Sequence, residues 1–167
     1  SSTMVKAGVF LLIKLSPLFL AFPIASGMVV LVGGFTFLFC SFLAISQSNA
    51  KRVLAYSTIA NLGLITACAG VGTPEAVWAA IFLVIFHAVA KSSRNIEDMD
   101  ELFERMPRLA RFMMLGIMCM FIAPFGMLVS KWATLVSFAT TGQVVLLVLL
   151  AFGSAATFMF WAKWLGK

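Results

Sequence analysis

Hydrophobic positions in this chain do not alternate, and they do not form narrow helical stripes. They fill whole runs that polar residues interrupt only at intervals. About 20 apolar residues suffice to cross the hydrocarbon core of a bilayer as a helix. By that yardstick six segments emerge, at Ser2–Leu15, Ile24–Ile45, Arg52–Val71, Pro74–Ser92, Pro107–Ala139 and Gly142–Leu165. Pro74 suits the first turn of a helix, where its missing N–H costs nothing. Nothing in the runs carries the period of two that a half-buried strand requires. The pattern therefore predicts an all-α integral membrane protein with about six transmembrane helices.

The fifth segment is too long for a single crossing. Phe112 to Phe138 holds one charged residue, with Pro124 near its middle. Proline removes a backbone donor and collides with the preceding turn, so a helix broken near Pro124 is expected. Broken membrane helices are tolerated where the freed backbone groups meet protein or a wet cavity, and they recur on ion paths. Residues 93–106 mix Arg94 and Arg105 with five carboxylates and read as a solvated connection. The run Val5–Leu15 looks cut into rather than begun, and no initiator Met or signal peptide precedes it. The chain is thus expected to be incomplete, with residues missing before Ser1 and also after Ser92, where the fourth segment stops short.

Composition agrees: 62% of residues are hydrophobic and 11% charged, against about 45–50% and about 25% in soluble domains. The net charge of +6 does not point to nucleic acid, because the basic residues gather in short loops. If every segment crosses, Lys51, Arg52, Arg94, Arg105, Arg108, Arg111, Lys163 and Lys167 share one side, and Lys14 stands alone on the other. Such asymmetry predicts that the loops near Lys51 and Arg94–Met106 and the C-terminus are cytoplasmic. Cys40, Cys68 and Cys119 lie far apart in apolar runs without metal-ligand spacing, and read as small hydrophobes.

The informative residues are the bases left inside the spans. Lys6, His87 and Lys131 interrupt apolar runs, and Lys91 shares a helix face with His87 four positions earlier. A charge in hydrocarbon is costly, so such groups face a wet interior, find a partner or carry protons. Proton exchange by a lysine near neutral pH requires burial to disfavour the ammonium by about three pKa units, on the order of 4 kcal/mol. Histidine suits a relay between amines. Apart from Glu75 at the very start of the fourth segment, no carboxylate lies within the spans to oppose that effect. On the third segment Ser57, Thr58 and Asn61 add groups able to hold water. The plainer reading of each base alone is a snorkelling lysine or a packed histidine.

Four stretches resemble the antiporter-like membrane subunits shared by respiratory complex I, multi-subunit sodium/proton antiporters and energy-converting nickel–iron hydrogenases. They are Ser2–Phe10, Lys51–Gly63, Phe86–Lys91 and Ser130–Trp132, in the family's order. The likeness covers the later half of such a subunit, about its eighth to thirteenth helices, so the six segments belong to a larger antiporter-like bundle. Ser93–Asp100 most resembles the hydrogenase branch. The resemblance implies that Lys6 is the buried lysine of the eighth helix. His87 and Lys91 are then the pair of the eleventh, and Lys131 the lysine of the broken twelfth, together forming the relay and exit half-channel. The family's glutamate on the fifth helix and lysine on the seventh have no counterpart here. The apolar continuation usual after Lys91 is also absent.

The expectation is a proton- or sodium-translocating subunit of a redox-driven complex in a prokaryotic cell membrane, an energy-converting hydrogenase or a complex I-like NADH dehydrogenase. It carries no cofactor or metal itself. Nickel–iron and iron–sulfur centres or flavin are expected in partner subunits of a peripheral redox arm, beside other membrane subunits. Two alternatives remain: a multi-subunit cation/proton antiporter without redox partners, and a structural membrane anchor whose lysines merely snorkel.

Overall fold

The computed structural model describes residues 4–92 and 126–165, together with Arg108 and Arg111. These residues form seven α-helices: α1 (Met4–Lys14), α2 (Ser16–Ala21), α3 (Pro23–Ser46), α4 (Ala50–Val71), α5 (Pro74–Ser92), α6 (Gly126–Thr140) and α7 (Val144–Leu165). The expected break near Pro124 and the connection at 93–106 lie outside the described residues, as does Cys119. Three helices, Pro23–Ser46, Arg52–Val71 and Val144–Lys163, are long and apolar enough to cross a membrane, and Pro74–Ala88 forms a shorter apolar helix.

Local chemistry explains the boundaries. Between the first two expected spans the chain adds a six-residue helix, α2, with a proline in its first turn. Pro23 ends it, because the residue before a proline is driven out of the helical region. Phe22 accordingly sits at φ −122°, ψ 84°, and α3 starts with Pro23 in its first turn. After α4 comes Gly72 at φ +72°. Thr73 follows and accepts the Ala76 N–H on its Oγ1 at 3.4 Å, and Pro74 opens α5. Gly142, at φ +69°, ends α6 in a Schellman turn. There Gly142 N–H bonds Ala139 O at 3.2 Å and Gln143 N–H bonds Phe138 O at 3.0 Å, so α7 starts at Val144.

The bundle has two layers of contact. α3 packs on α4 and α7, and α5 packs on α4 and α6, with α1 and α2 against α4. The approach of α3 to α4 is the tightest. A Cβ at Gly63 would stand 2.8 Å from Gly33 O and 2.8 Å from Phe37 N, and one at Gly33 would stand 2.6 Å from Ala67 N. In lipid the solvent is as apolar as the side chains, so close backbone contact between small residues supplies much of the association. Ser26 Oγ reinforces it by donating to Gly70 O at 2.6 Å. Away from these seams large apolar residues are exposed, among them Met28, Phe35, Phe39, Trp132 and Phe152.

Two contacts identify the ends of the bundle. Lys163 Nζ donates to Ile45 O at 3.1 Å and Gln47 O at 3.3 Å, so the end of α7 meets the end of α3 beside the Lys51-Arg52 start of α4. At the other end Thr73 and Ser137 hydroxyls lie 3.3 Å apart, and Ser16 packs against the Gly72 turn.

Gly63→Ala should lower the stability of the full-length subunit by about 1–3 kcal/mol, because the new methyl meets backbone on both sides. Gly34→Ala meets only the side-chain tips of Leu149 and Leu146, at 3.1 and 3.2 Å. It should stay within about 1 kcal/mol of the parent, helped by alanine's helix propensity. Thermal unfolding of the two variants in detergent checks the contrast.

Candidate functional site: buried bases in the middle of the bundle

Helix geometry sets the depth of each polar group. Ser57 lies fourteen positions before the end of α4 and His87 thirteen after the start of α5, so both sit about 20 Å below the turn that joins them. Asn61 lies about 15 Å below the same turn. Ser16 packs on that turn, which puts Lys6 about 15 Å down the chain of helices α1 and α2. Ser137 is level with Thr73, and Lys131 lies six positions earlier, about 9 Å below it. Groups from α1, α4, α5 and α6 thus share the middle of a layer about 30 Å thick.

Each is enclosed. His87 is 1% exposed and Lys131 9%, while Ser57 and Asn61 share one buried face of α4. Asn61 Nδ2 donates to Ser57 O at 2.8 Å. Lys6 is half-buried, but its Nζ is fully covered. Among the described residues neither Lys6 Nζ nor Ser57 Oγ has a hydrogen-bond partner. Thr58 is turned away to a half-buried face, where its hydroxyl donates to Leu54 O at 2.8 Å. Lys91 belongs to the last turn of α5. Pro124 lies outside the described residues.

The tertiary structure adds groups that no single run singles out. Ser130, Thr134 and Ser137 recur at helical spacing on one face of α6, and all three are buried. Thr134 Oγ1 donates to Ser130 O at 2.8 Å and lies 3.7 Å from the Cys68 thiol, while Ser137 meets Thr73. A file of hydroxyls therefore runs from the neighbour of Lys131 to the α4–α5 turn. The spacing of four then three was visible in the sequence, but hydroxyls in membrane helices usually bond their own backbone and carry little signal. Cys40 and Cys68 are buried free thiols. The aromatic ring of Phe37 lies with its centroid 6.0 Å from Lys131 Nζ. An enclosed set of amines, an imidazole and hydroxyls has the chemistry to pass a proton or to hold a hydrated cation.

Residues 1–157 match the model of the NADH:quinone oxidoreductase/Mrp antiporter transmembrane family. The chain belongs to that family. It is 35% identical over 140 residues to NADH-ubiquinone oxidoreductase chain 5 of Paracentrotus lividus, a match covering 75% of this chain and 22% of that protein. A probable K(+)/H(+) antiporter component of Rhizobium meliloti (strain 1021) is 38% identical over 130 residues, covering 70% of this chain and 13% of the relative. The structure of the Mrp complex from Dietzia sp. DQ12-45-1b superposes with a TM-score of 0.84 at 31% identity, over 96% of this chain and 20% of the matched chain. The chain thus spans about a fifth or less of the length of these relatives, within an antiporter-like, multi-pass membrane protein.

A covered amine without a partner works against the fold, since an unmet buried polar group costs about 1–3 kcal/mol. Lys6→Met keeps the length of the side chain and removes that group. Thermal melting of the intact subunit should show the variant at least as stable as the parent, and a fall of several degrees would count against the enclosure of Lys6.

Proposed function

We propose that this chain is an ion-conducting part of the membrane subunit of a redox-driven complex, moving H⁺ (or Na⁺) along Lys6, His87, Lys91 and Lys131. Ser57 and Asn61 hold water beside that axis, and a break at Pro124 would free backbone groups for it. One observation carries the reading: basic groups from three separate helices are covered within the middle of the bundle. A structural anchor has no use for three bases there, because each costs several kcal/mol to hold away from water.

Family membership supports ion translocation, and the relative from Paracentrotus lividus is named for oxidoreductase function. The likeness of Ser93–Asp100 to the hydrogenase branch favours an energy-converting hydrogenase over an NADH dehydrogenase as the parent assembly. Electrons would pass through nickel–iron and iron–sulfur centres or flavin in partner subunits, and this subunit would take up the conformational or electrostatic consequence. The end that carries Lys51, Arg52 and Lys163 is cytoplasmic on this reading, together with the Arg94–Met106 loop, in a prokaryotic cell membrane. A second reading, a cation/proton antiporter driven by ion gradients alone, is favoured by the Rhizobium meliloti relative and by the Mrp structure. Co-purified redox subunits select the first reading, and small membrane subunits alone select the second.

In the intact complex Lys131→Ala should lower ion translocation into inverted vesicles by about 100-fold or more, the contribution expected of a positioned acid–base group. Assembly and the partner electron-transfer or cation-binding reaction should survive. Normal translocation in an assembled variant would remove Lys131 from the path and return the chain to the anchor reading.

A further inference from the structure

Phe37 is a core residue held from two sides by glycines. Its backbone is pinned on α4, where a Cβ at Gly63 would come within 2.8 Å of Phe37 N. Its ring is pinned on α7, where a Cβ at Gly153 would lie 2.7 Å from Cδ1, 2.8 Å from Cζ and closer still to Cε1. The ring therefore rests on bare backbone, in a socket that exists only because position 153 has no side chain. Two glycines on different helices fix a fully enclosed ring, 1% exposed, in one place. What that ring meets is Lys131, with Nζ 6.0 Å from its centroid. This is the range in which an ammonium is attracted by the negative face of an aromatic ring, and desolvation strengthens the attraction.

Among the described residues the only carboxylate is Glu75, exposed in the first turn of α5 at the α4–α5 end. No acid from the described helices is therefore placed to hold the Lys131 ammonium by an ion pair. A carboxylate at that depth would also bind the amine tightly enough to trap it. The quadrupole of a ring attracts more weakly, so it orients the ammonium and still lets the charge leave.

We propose that Phe37 is a positioning residue for the ion step at Lys131. Its ring face holds the ammonium at the junction of α3, α6 and α7, and Gly153 is the socket that aims the ring. The proposal rests on the reading of Lys131 as a relay group. It adds an electrostatic role to a residue whose apolar character alone marks it as core.

The test replaces Phe37 in the full subunit of the intact complex by mono-, di- and trifluorinated phenylalanine, introduced by nonsense suppression. Fluorine drains the ring face of negative charge while nearly preserving shape, so a purely packing role would give a flat series. Ion translocation into inverted vesicles should fall stepwise, by about tenfold across the series. Gly153→Ala, with assembly confirmed, should depress translocation by a similar factor because the new methyl displaces the ring. A flat fluorine series, with Lys131→Ala inactive, overturns the role of Phe37 and leaves the relay standing. Normal translocation by an assembled Gly153→Ala subunit overturns the socket. Normal translocation by Lys131→Ala overturns the relay and this inference together.

Discussion

Backbone contact between α3 and α4 at Gly33 and Gly63 is the constraint on which the rest of the bundle depends. A soluble protein can let hydrophobic burial hold two helices together at almost any spacing that packs. A helix pair in lipid gains little by hiding one apolar surface against another, so the seam must come from direct contact between surfaces that fit. Once α3 lies against α4, Phe37 is carried to the centre, where α7 can receive its ring at Gly153. The face of α4 that bears Ser57 and Asn61 is left buried rather than lipid-exposed. The polar interior is thus a consequence of how closely two apolar helices can approach.

The same interior holds groups that a fold built only for stability would discard. Lys6 Nζ and Ser57 Oγ are covered without a hydrogen-bond partner among the described residues, and Lys131 sits beside an aromatic ring rather than in open water. Buried polar groups of this kind lower stability, and their recurrence on several helices is what the proposed conduction role accounts for. Long apolar helices tolerate the cost because their backbone hydrogen bonds are satisfied within each segment, whatever the side chains do.

Particular elements show how far reading residues alone reaches. The all-helical membrane class was legible, since runs such as those of α3 and α7 have no soluble solution. So was the place of the α4–α5 turn, read from Pro74 as a helix opener, whereas the left-handed Gly72 and the Thr73 cap emerged from the structure. The short helix α2 was not, because six residues leave no periodic signal. Lys6, His87 and Lys131 stand out because each is a rare polar letter in an apolar run. Thr58 looked equivalent to Ser57, but a rotation of about 100° per residue turns it onto another face. The hydroxyls of α6 were lost among residues that ordinarily bond their own helix.

Sequence by itself determined that this chain is helical and membrane-embedded, where α4 gives way to α5, and which bases stand in apolar surroundings. Each of these follows from local chemistry: backbone groups with no water to bond, rings that forbid a φ, charges without hydrocarbon solvation. Tertiary structure alone decided that Phe37, one of 17 phenylalanines, faces Lys131, and that Gly153 rather than another glycine makes room for it. Those contacts join residues far apart along the chain. They depend on differences of a few tenths of an ångström in the spacing between helices, which no pattern of hydrophobic and polar letters encodes.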